Sequence, residues 1–567
     1  MYPKIDSETK QLPDGEMCNI KGNMQQMKKK DINCQQFFPK TTKMTKDFMD
    51  KMYVKKLAKA ETYVLEDGSK CRTISVIAAL VVLFLFSFFG VFFMWYTDGF
   101  NNIIYSNMVI REGAPGYEIW RKPPLKILVK VYLFNYTNVD RFEDGQDAKL
   151  NVQEKGPYVY EESMERVNLN FSGNRVSFQL KKSYKFVPEL SKGRQNDIIV
   201  VPNMFLLGAT AINRYSSFLT KLTVSSGLNG LYSKAFLSLA ADRLIMGYDD
   251  SMYALSRSIM VFQDKKMADK IGLLSKNIGV SDDVMTVHTG QGDIDKIGKI
   301  LSVNGKDKVN FWSTEECNSF TDSTDGTLFS PKAVSQKKPL KVFQKDMFRH
   351  VPLVFKKEST ILDGDIPSYT YEVPDNFFDS PDYYPANQCY CEMDGGTCPP
   401  HGLFNSTLCS MGVPTFISNP HFHRADPKLT ESITGLNPNG TLHGTTMELH
   451  PTMGFPMSGN TRLQINMQIL KISEFSQLYK YQDGMILPIA WFDVSMQDKY
   501  LPEEIKDIIA TTTHTVALIK NLLKYGSIVI AIMTLIPIAA NLRYKMTKNK
   551  RRDSTRPLRK QDSEVEA

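Results

Sequence analysis

The sequence predicts an α+β fold held between two terminal transmembrane helices, with a mainly β body and an inserted helical cluster. Three observations carry this reading. Residues 73–97 contain no charge. Residues 525–542 form a second charge-free run and lead straight into basic residues. Between them, residues 98–515 alternate β-branched and aromatic stretches with Gly, Pro and Asn, the pattern of short strands and turns.

The first run is long enough to cross about 30 Å of hydrocarbon as a helix. Trp95 and Tyr96 stand at its end, where an aromatic belt belongs. It starts too far into the chain for a secretory leader, so it is expected to remain as an anchor. The second span is expected over 516–542, with Lys520 and Lys524 reaching the interface along their aliphatic stems. Arg543, Lys545, Lys548, Lys550, Arg551 and Arg552 follow it directly, which disfavours a buried soluble helix. Lys55, Lys56, Lys59, Lys70 and Arg72 flank the first span. The positive-inside bias then puts both termini in the cytosol: a tail over 1–72, an outer or lumenal domain over 98–515, and a basic tail over 543–567.

Of 567 residues, 69 are basic and 61 acidic, a formal charge of +8. The excess is terminal. Residues 1–72 carry 15 Lys/Arg against 10 Asp/Glu, and residues 543–567 carry 9 against 4. A nucleic-acid-binding domain would gather its charge on a folded face, so no nucleic acid partner is expected.

Cysteine use follows the same map. Cys18, Cys34 and Cys71 fall in the cytosolic part, and Cys317, Cys389, Cys391, Cys398 and Cys409 in the loop. In an oxidising compartment, disulfides are the simpler account than a metal. Five thiols leave at least one unpaired or paired between chains. Sequons at Asn135, Asn170, Asn405 and Asn439 all lie between the spans and are expected to carry glycans.

Within the loop, 127–134, 158–161 and 176–184 read as strands. Residues 203–246 read as a helical cluster, rich in Leu and Phe. Leu206, Phe218, Leu222 and Phe236 are either ordinary packing or a surface that accepts lipid. Lys221 and Lys234 are placed to meet an anionic headgroup, or else are simply solvated. No cofactor or metal is implied. There is no G-x-S-x-G, H-E-x-x-H or glycine-rich nucleotide loop. His421, His423, His443 and His450 match no zinc spacing and read as turn or core residues. Asp322, Asp325 and Asp426 read as loop supports.

Eight motifs occur in order between the spans: EGAPGYEIWRKPP (112–124), LFNYTN (133–138), EKGPYVY (154–160), MGYDD (246–250), STDGTLFSP (323–331), NPHFHRADP (419–427), HPTMGFP (450–456) and TRLQIN (461–466). In these the chain resembles the class B scavenger receptor family. The resemblance implies a β-barrel-like ectodomain topped by an apical helical bundle, with a hydrophobic tunnel that carries lipid towards the membrane. It implies no enzyme activity and no cofactor. It suggests pairing of Cys317 with Cys389 and of Cys391 with Cys398. The family's third pair would join Cys409 to a cysteine where this chain has Phe348, so Cys409 is left free or re-paired. The expected partners are lipids or lipoproteins, and anionic particles or apoptotic-cell surfaces, with a homo-oligomer open. The leading expectation is a plasma-membrane receptor that takes up fatty acid, sterol or carotenoid. A phagocytic or adhesion receptor without transfer, and an endosomal or lysosomal protein carrier, are the alternatives.

Overall fold

The computed structural model describes residues 72–230, 234–261, 268–391 and 398–554. Cys18, Cys34, Cys71 and the N-terminal tail up to residue 71 lie outside them. By packing, Phe84–Met533 form one compact unit, and the ends of the spans, to Leu83 and from Thr534, belong to another.

Two helices are long and apolar enough to cross a membrane. The first is Arg72–Tyr96. The second is a continuation: a helix Glu503–Ala510, a π turn Thr511–Thr515, then the helix Val516–Ser554. Pro537 sits inside it without ending it, as bilayer helices allow when neighbouring groups re-satisfy the freed carbonyl. Within Phe84–Met533 the two helices touch through small residues. A Cβ on Gly90 would stand 3.3 Å from the Ser527 Cβ, and the Ser87 hydroxyl donates to the Ser527 carbonyl. Small residues let backbones approach where no hydrophobic force drives helices together. Towards the water interface, the Lys524 ammonium lies 4.1 Å from the Trp95 ring centre, and Trp95 meets Tyr525 edge to face. Lys520 donates to Asn101 at 3.0 Å.

Among the described residues the body has seventeen strands. They are β1 (Ile127–Tyr136), β2 (Leu150–Ser172), β3 (Arg175–Phe186), β4 (Ile198–Pro202), β5 (Phe236–Ala240) and β6 (Gly279–His288). Next come β7 (Ile300–Val303), β8 (Ser323–Thr324), β9 (Leu340–Gln344), β10 (Arg349–Ile361), β11 (Ile366–Glu372) and β12 (Leu403–Asn405). The last are β13 (Thr415–Ser418), β14 (Ile433–Thr434), β15 (Thr446–Leu449), β16 (Pro456–Gln468) and β17 (Ile486–Met496). One sheet runs in the order β7-β6-β3-β2-β1-β17-β16-β15-β11-β10-β9-β8. Its two ends meet where Lys299, just before β7, bridges Thr324 of β8. The barrel is therefore nearly closed, which removes the exposed edges an open sheet presents. β1 and β17 are central: Val131 faces Phe492 and Leu133 faces Ala490. Val131, Leu133 and Ala490 are fully buried.

The expected strands all form, and each is longer than its sequence signal. One expectation is corrected. The sequence pattern places residues 236–240 in the helical cluster, yet they form β5, antiparallel to β4. Phe236, Leu237 and Leu239 fit a helical count, but Ile198–Pro202 needs an edge partner for its backbone groups. The helix that follows is only Ala241–Met246, and another, Ser251–Val261, extends the cluster beyond residue 246.

Closure is fixed by a buried ion pair. Arg166 of β2, 1% exposed, donates to Asp325 at 2.7 Å and to Thr327 at 2.9 Å. Its guanidinium also reaches the Trp120 carbonyl and lies 4.7 Å from the Trp120 ring centre. Asp325 caps its own turn by accepting from the Thr327 amide. Gly326 follows at φ +85, a conformation that favours glycine. Burial alone would raise the Asp325 carboxyl, but Arg166 and the Thr327 hydrogen bonds outweigh it and hold it below the usual range. Asp325→Ala should destabilise the protein by about 3–5 kcal/mol, because Arg166 is left buried and unpaired. The double change Arg166→Met, Asp325→Ala should recover much of that loss. Thermal unfolding of both detergent-solubilised variants measures this, and equal loss in the two would contradict it.

Candidate functional site

Two features of Phe84–Met533 are candidates for a ligand site: a helical face and a chamber between strands. The helix Met204–Asn213 starts at Asn203, whose side chain accepts from the Leu206 amide and donates to the Lys234 carbonyl. Leu206 and Leu207 are buried in the main core. Gly208 lies against Val413, so a Cβ there would meet it at 3.3 Å. The next helix, Phe218–Gly230, is anchored by Leu228 and by the Ser225 hydroxyl, which donates to the Glu474 carbonyl. Met252 of the helix Ser251–Val261 packs on Gly227, and Tyr253 meets Phe205.

The expected ligand residues divide into two groups. Phe218, Lys221 and Leu222 share one face of Phe218–Gly230, at i, i+3 and i+4. Phe218 is 65% exposed, Leu222 46% and neighbouring Leu219 72%. Tyr215 and Ile212, earlier in the chain, are exposed as well. Lys234 is exposed on the connection into β5. Leu206 and Phe236, in contrast, are core residues, and Phe236 packs between Tyr136 and Tyr481. The structure thus assembles three of the six on one face and puts two of them inside. From 198 to 241 the chain has no carboxylate, while Arg214, Lys221 and Lys234 are present.

The chamber has a volume of about 350 Å³. Val342 of β9, Val351 and Leu353 of β10, Met447 of β15 and Leu463 of β16 give it apolar walls. Lys356, Asp375, His423, Arg424 and Arg462 also line it. Arg424 pairs with Asp375 at 2.7 Å. Arg462 donates to the Gly444 carbonyl at 3.0 Å and stands 3.5 Å from Asp493, which also binds Lys130 at 2.9 Å. None of the apolar wall residues was singled out from sequence. The period of two in TRLQIN puts Thr461 and Leu463 on one face, but Arg462 between them also lines the chamber, so alternation alone does not find it.

A part-buried polar network borders the chamber. Glu154 accepts from His421 at 2.6 Å and from the Trp491 indole at 2.7 Å. Burial would raise its carboxyl, but these two hydrogen bonds outweigh it and hold it low. His421 takes a hydrogen bond from the Asn437 amide on its other nitrogen and stacks on His443 at 5.1 Å. Burial, with the neighbouring histidines, pushes His443 down to about 4. His450 is also pushed down to about 4 by burial. It contacts Thr513 at 3.0 Å, tying the end of β15 to the π turn before the second span. The core roles expected for His421, His443 and His450 match these positions. Asp322 pairs with Lys299, and Asp426 caps a turn through the Lys428 amide.

Cys317 is bridged to Cys389 and Cys391 to Cys398, and Cys409 is unbridged. Cys409 and Phe348 pack into the same cluster. Burial pushes the Cys409 thiol up to about 12, which suppresses its nucleophilic form. Asn170 and Asn439 are exposed. Asn405 accepts from the Thr407 amide and hydroxyl of its own sequon. Asn135 lies half-buried within β1 and accepts from the Val200 amide. Among the described residues, no three His, Cys, Asp or Glu side chains gather as a metal site.

The order of motifs, the nearly closed barrel and the two spans agree with one family, and the CD36 family model matches residues 77–540. The chain belongs to the CD36 family. It is a two-pass membrane protein of a family of receptors and transporters, not an enzyme. It is 30% identical over 393 residues to scavenger receptor class B member 1 of Bos taurus, covering 69% of this chain and 75% of that one. It is 31% identical to the Rattus norvegicus protein of the same name, over 69% of this chain and 75% of the other. Lysosome membrane protein 2 of Mus musculus is 29% identical, over 73% of this chain and 84% of the other. The two groups of relatives carry different names at similar identity.

The depressed histidines set a pH dependence. A histidine held below its free value of 6.5 takes up its proton first in the unfolded chain. Stability therefore falls as pH drops from 6.5 towards 4. Depressed carboxylates such as Glu154 and Asp325 act only below their free values, near 4. His288, His350 and His423 are shifted the same way as His443 and His450. Acidification from about pH 7 to about pH 5 should lower the thermal midpoint. His443→Gln combined with His450→Gln should flatten that slope, and an unchanged slope would count against the two histidines as its source.

Proposed function

We propose that this CD36-family protein is a cell-surface receptor that binds lipid or lipoprotein and takes apolar cargo into the barrel. The observation that carries the reading is the exposed face of Phe218, Leu219 and Leu222 beside Lys221, on a stretch without a carboxylate. Exposed apolar side chains of this size, grouped and rimmed by cations, suit an amphipathic and anionic surface. A lipoprotein or an oxidised lipid particle offers both. The 350 Å³ chamber falls at the small end of the range of about 300–1,000 Å³ usual for small-molecule sites. Its apolar walls suit an acyl chain, a sterol or a carotenoid end, at roughly 0.8 kcal/mol per buried CH₂. Such transfer needs access and a gradient, and no bond is made or broken. The relatives named scavenger receptor class B member 1 support a receptor role; the lysosome membrane proteins keep an endosomal carrier as the competing one. Glycans at Asn135, Asn170, Asn405 and Asn439 and cytosolic placement of both tails belong to the same proposal.

The test is uptake of labelled fatty acid, sterol ester and carotenoid by cells matched for surface expression. Selective uptake of one class supports transfer and names the cargo. Surface binding without uptake turns the reading towards a phagocytic or adhesion receptor. Two variants separate the steps. Phe218→Ser with Leu219→Asp should reduce particle binding several-fold, while folding stability shifts by no more than about 0.5 kcal/mol at these exposed positions. Leu463→Trp, which fills the chamber, should leave particle binding intact and reduce uptake. Full uptake by the Leu463→Trp protein would rule the chamber out as the cargo route.

A further inference from the structure

The second span does not stop where its apolar segment stops. The helix Val516–Ser554 continues past Leu542 through residues 543–554, about 18 Å of further helix. Residues 543–552 carry six cations: Arg543, Lys545, Lys548, Lys550, Arg551 and Arg552. The sequence has no carboxylate between Asp507 and Asp553. All side chains of 543–552 are exposed. Among the described residues, Arg543, Lys545, Lys548 and Lys550 have no ion-pair partner.

Helical geometry decides how these charges are presented. At 100° per residue, Lys545, Lys548 and Arg552 share one face, and Arg543 and Lys550 the opposite one. The cations form a collar around the helix, and no apolar stripe remains that would let it lie flat on the surface. The collar also has a defined height. The headgroup layer is about 5–7 Å thick on each side of the hydrocarbon, and the Debye length at physiological salt is about 8 Å. Arg552 stands about 14 Å along the axis from Arg543. A helix crossing the leaflet therefore holds all six charges within the headgroup layer or one screening length of it.

We propose that residues 543–552 form a cationic collar that recruits phospholipids with net negative headgroups from the leaflet this end of the protein enters. A topological signal alone requires charge near the span but no rigid, all-round display. The collar concentrates anionic lipid at the foot of the second span, independently of what the barrel binds.

The test uses full-length protein reconstituted in phosphatidylcholine bilayers with a trace of spin-labelled phosphatidylserine or spin-labelled phosphatidylcholine. The fraction of motionally restricted label gives the relative association of each lipid. The expected result is a roughly five-fold preference for phosphatidylserine at low salt, falling towards parity at about 0.5 M NaCl. R543Q/K545Q/K548Q/K550Q should lose most of it. K520Q/K524Q, at the other end of the apolar segment, should keep it. Equal association of the two lipids with the unaltered protein overturns the proposal, as does a preference that survives both salt and the four-fold change. The salt titration needs no variant, so it decides the matter even if the four-fold change impairs insertion.

Discussion

Closure of the barrel depends on one buried charge pair. Arg166 and Asp325 are far apart in sequence, and neither could be buried alone without a large desolvation cost. Asp325 follows directly on Thr324, which bridges Lys299 where the first and last strands of the sheet meet. Arg166 also gathers Trp120 through both its carbonyl and its ring. Three separated motifs, around 112–124, on β2 and around 323–331, are thus fixed at one point. Hydrophobic contact could close the sheet in more than one register. Both terminal guanidinium nitrogens of Arg166 are hydrogen-bonded in the observed register, and a slip would leave them buried and unmatched, as its Nε already is.

A second polar knot joins other distant parts of the chain. Glu154, His421 and Trp491 come from β2, from the NPHFHRADP loop and from β17. Their hydrogen bonds orient the loop that contributes His423 and Arg424 to the chamber. The chamber's apolar wall and polar lining therefore have different origins. Strand residues supply the wall and, through Lys356 and Arg462, part of the polar side; the rest comes from loops pinned by part-buried hydrogen bonds. His450 plays a similar part at the second span, where its contact with Thr513 couples the barrel to the helix entering the bilayer.

Legibility in the sequence followed the range of the interactions involved. The spans could be read because hydrocarbon imposes a local rule on every residue in them. The strands of 127–186 could be read because their alternation is local. β5 could not, since FLSLA counts equally well as helix and only its pairing with β4 decides. The candidate site was half visible. Phe218, Lys221 and Leu222 share a face by helical spacing alone. Leu206 and Phe236 looked the same in sequence, and only packing against Tyr136 and Tyr481 shows Phe236 to be interior.

By itself the sequence determined the two spans, the charge asymmetry at the ends, the ordered motifs of the family and the absence of a familiar catalytic set. Each of these is a property of residues close together in the chain or of simple composition. The tertiary structure alone decided which apolar residues face water, where a chamber forms between β9, β10, β15 and β16, and that burial suppresses the Cys409 thiol. Those outcomes depend on residues tens to hundreds of positions apart meeting in one register. Burial, the physical quantity that sorts them, is not defined until the barrel closes.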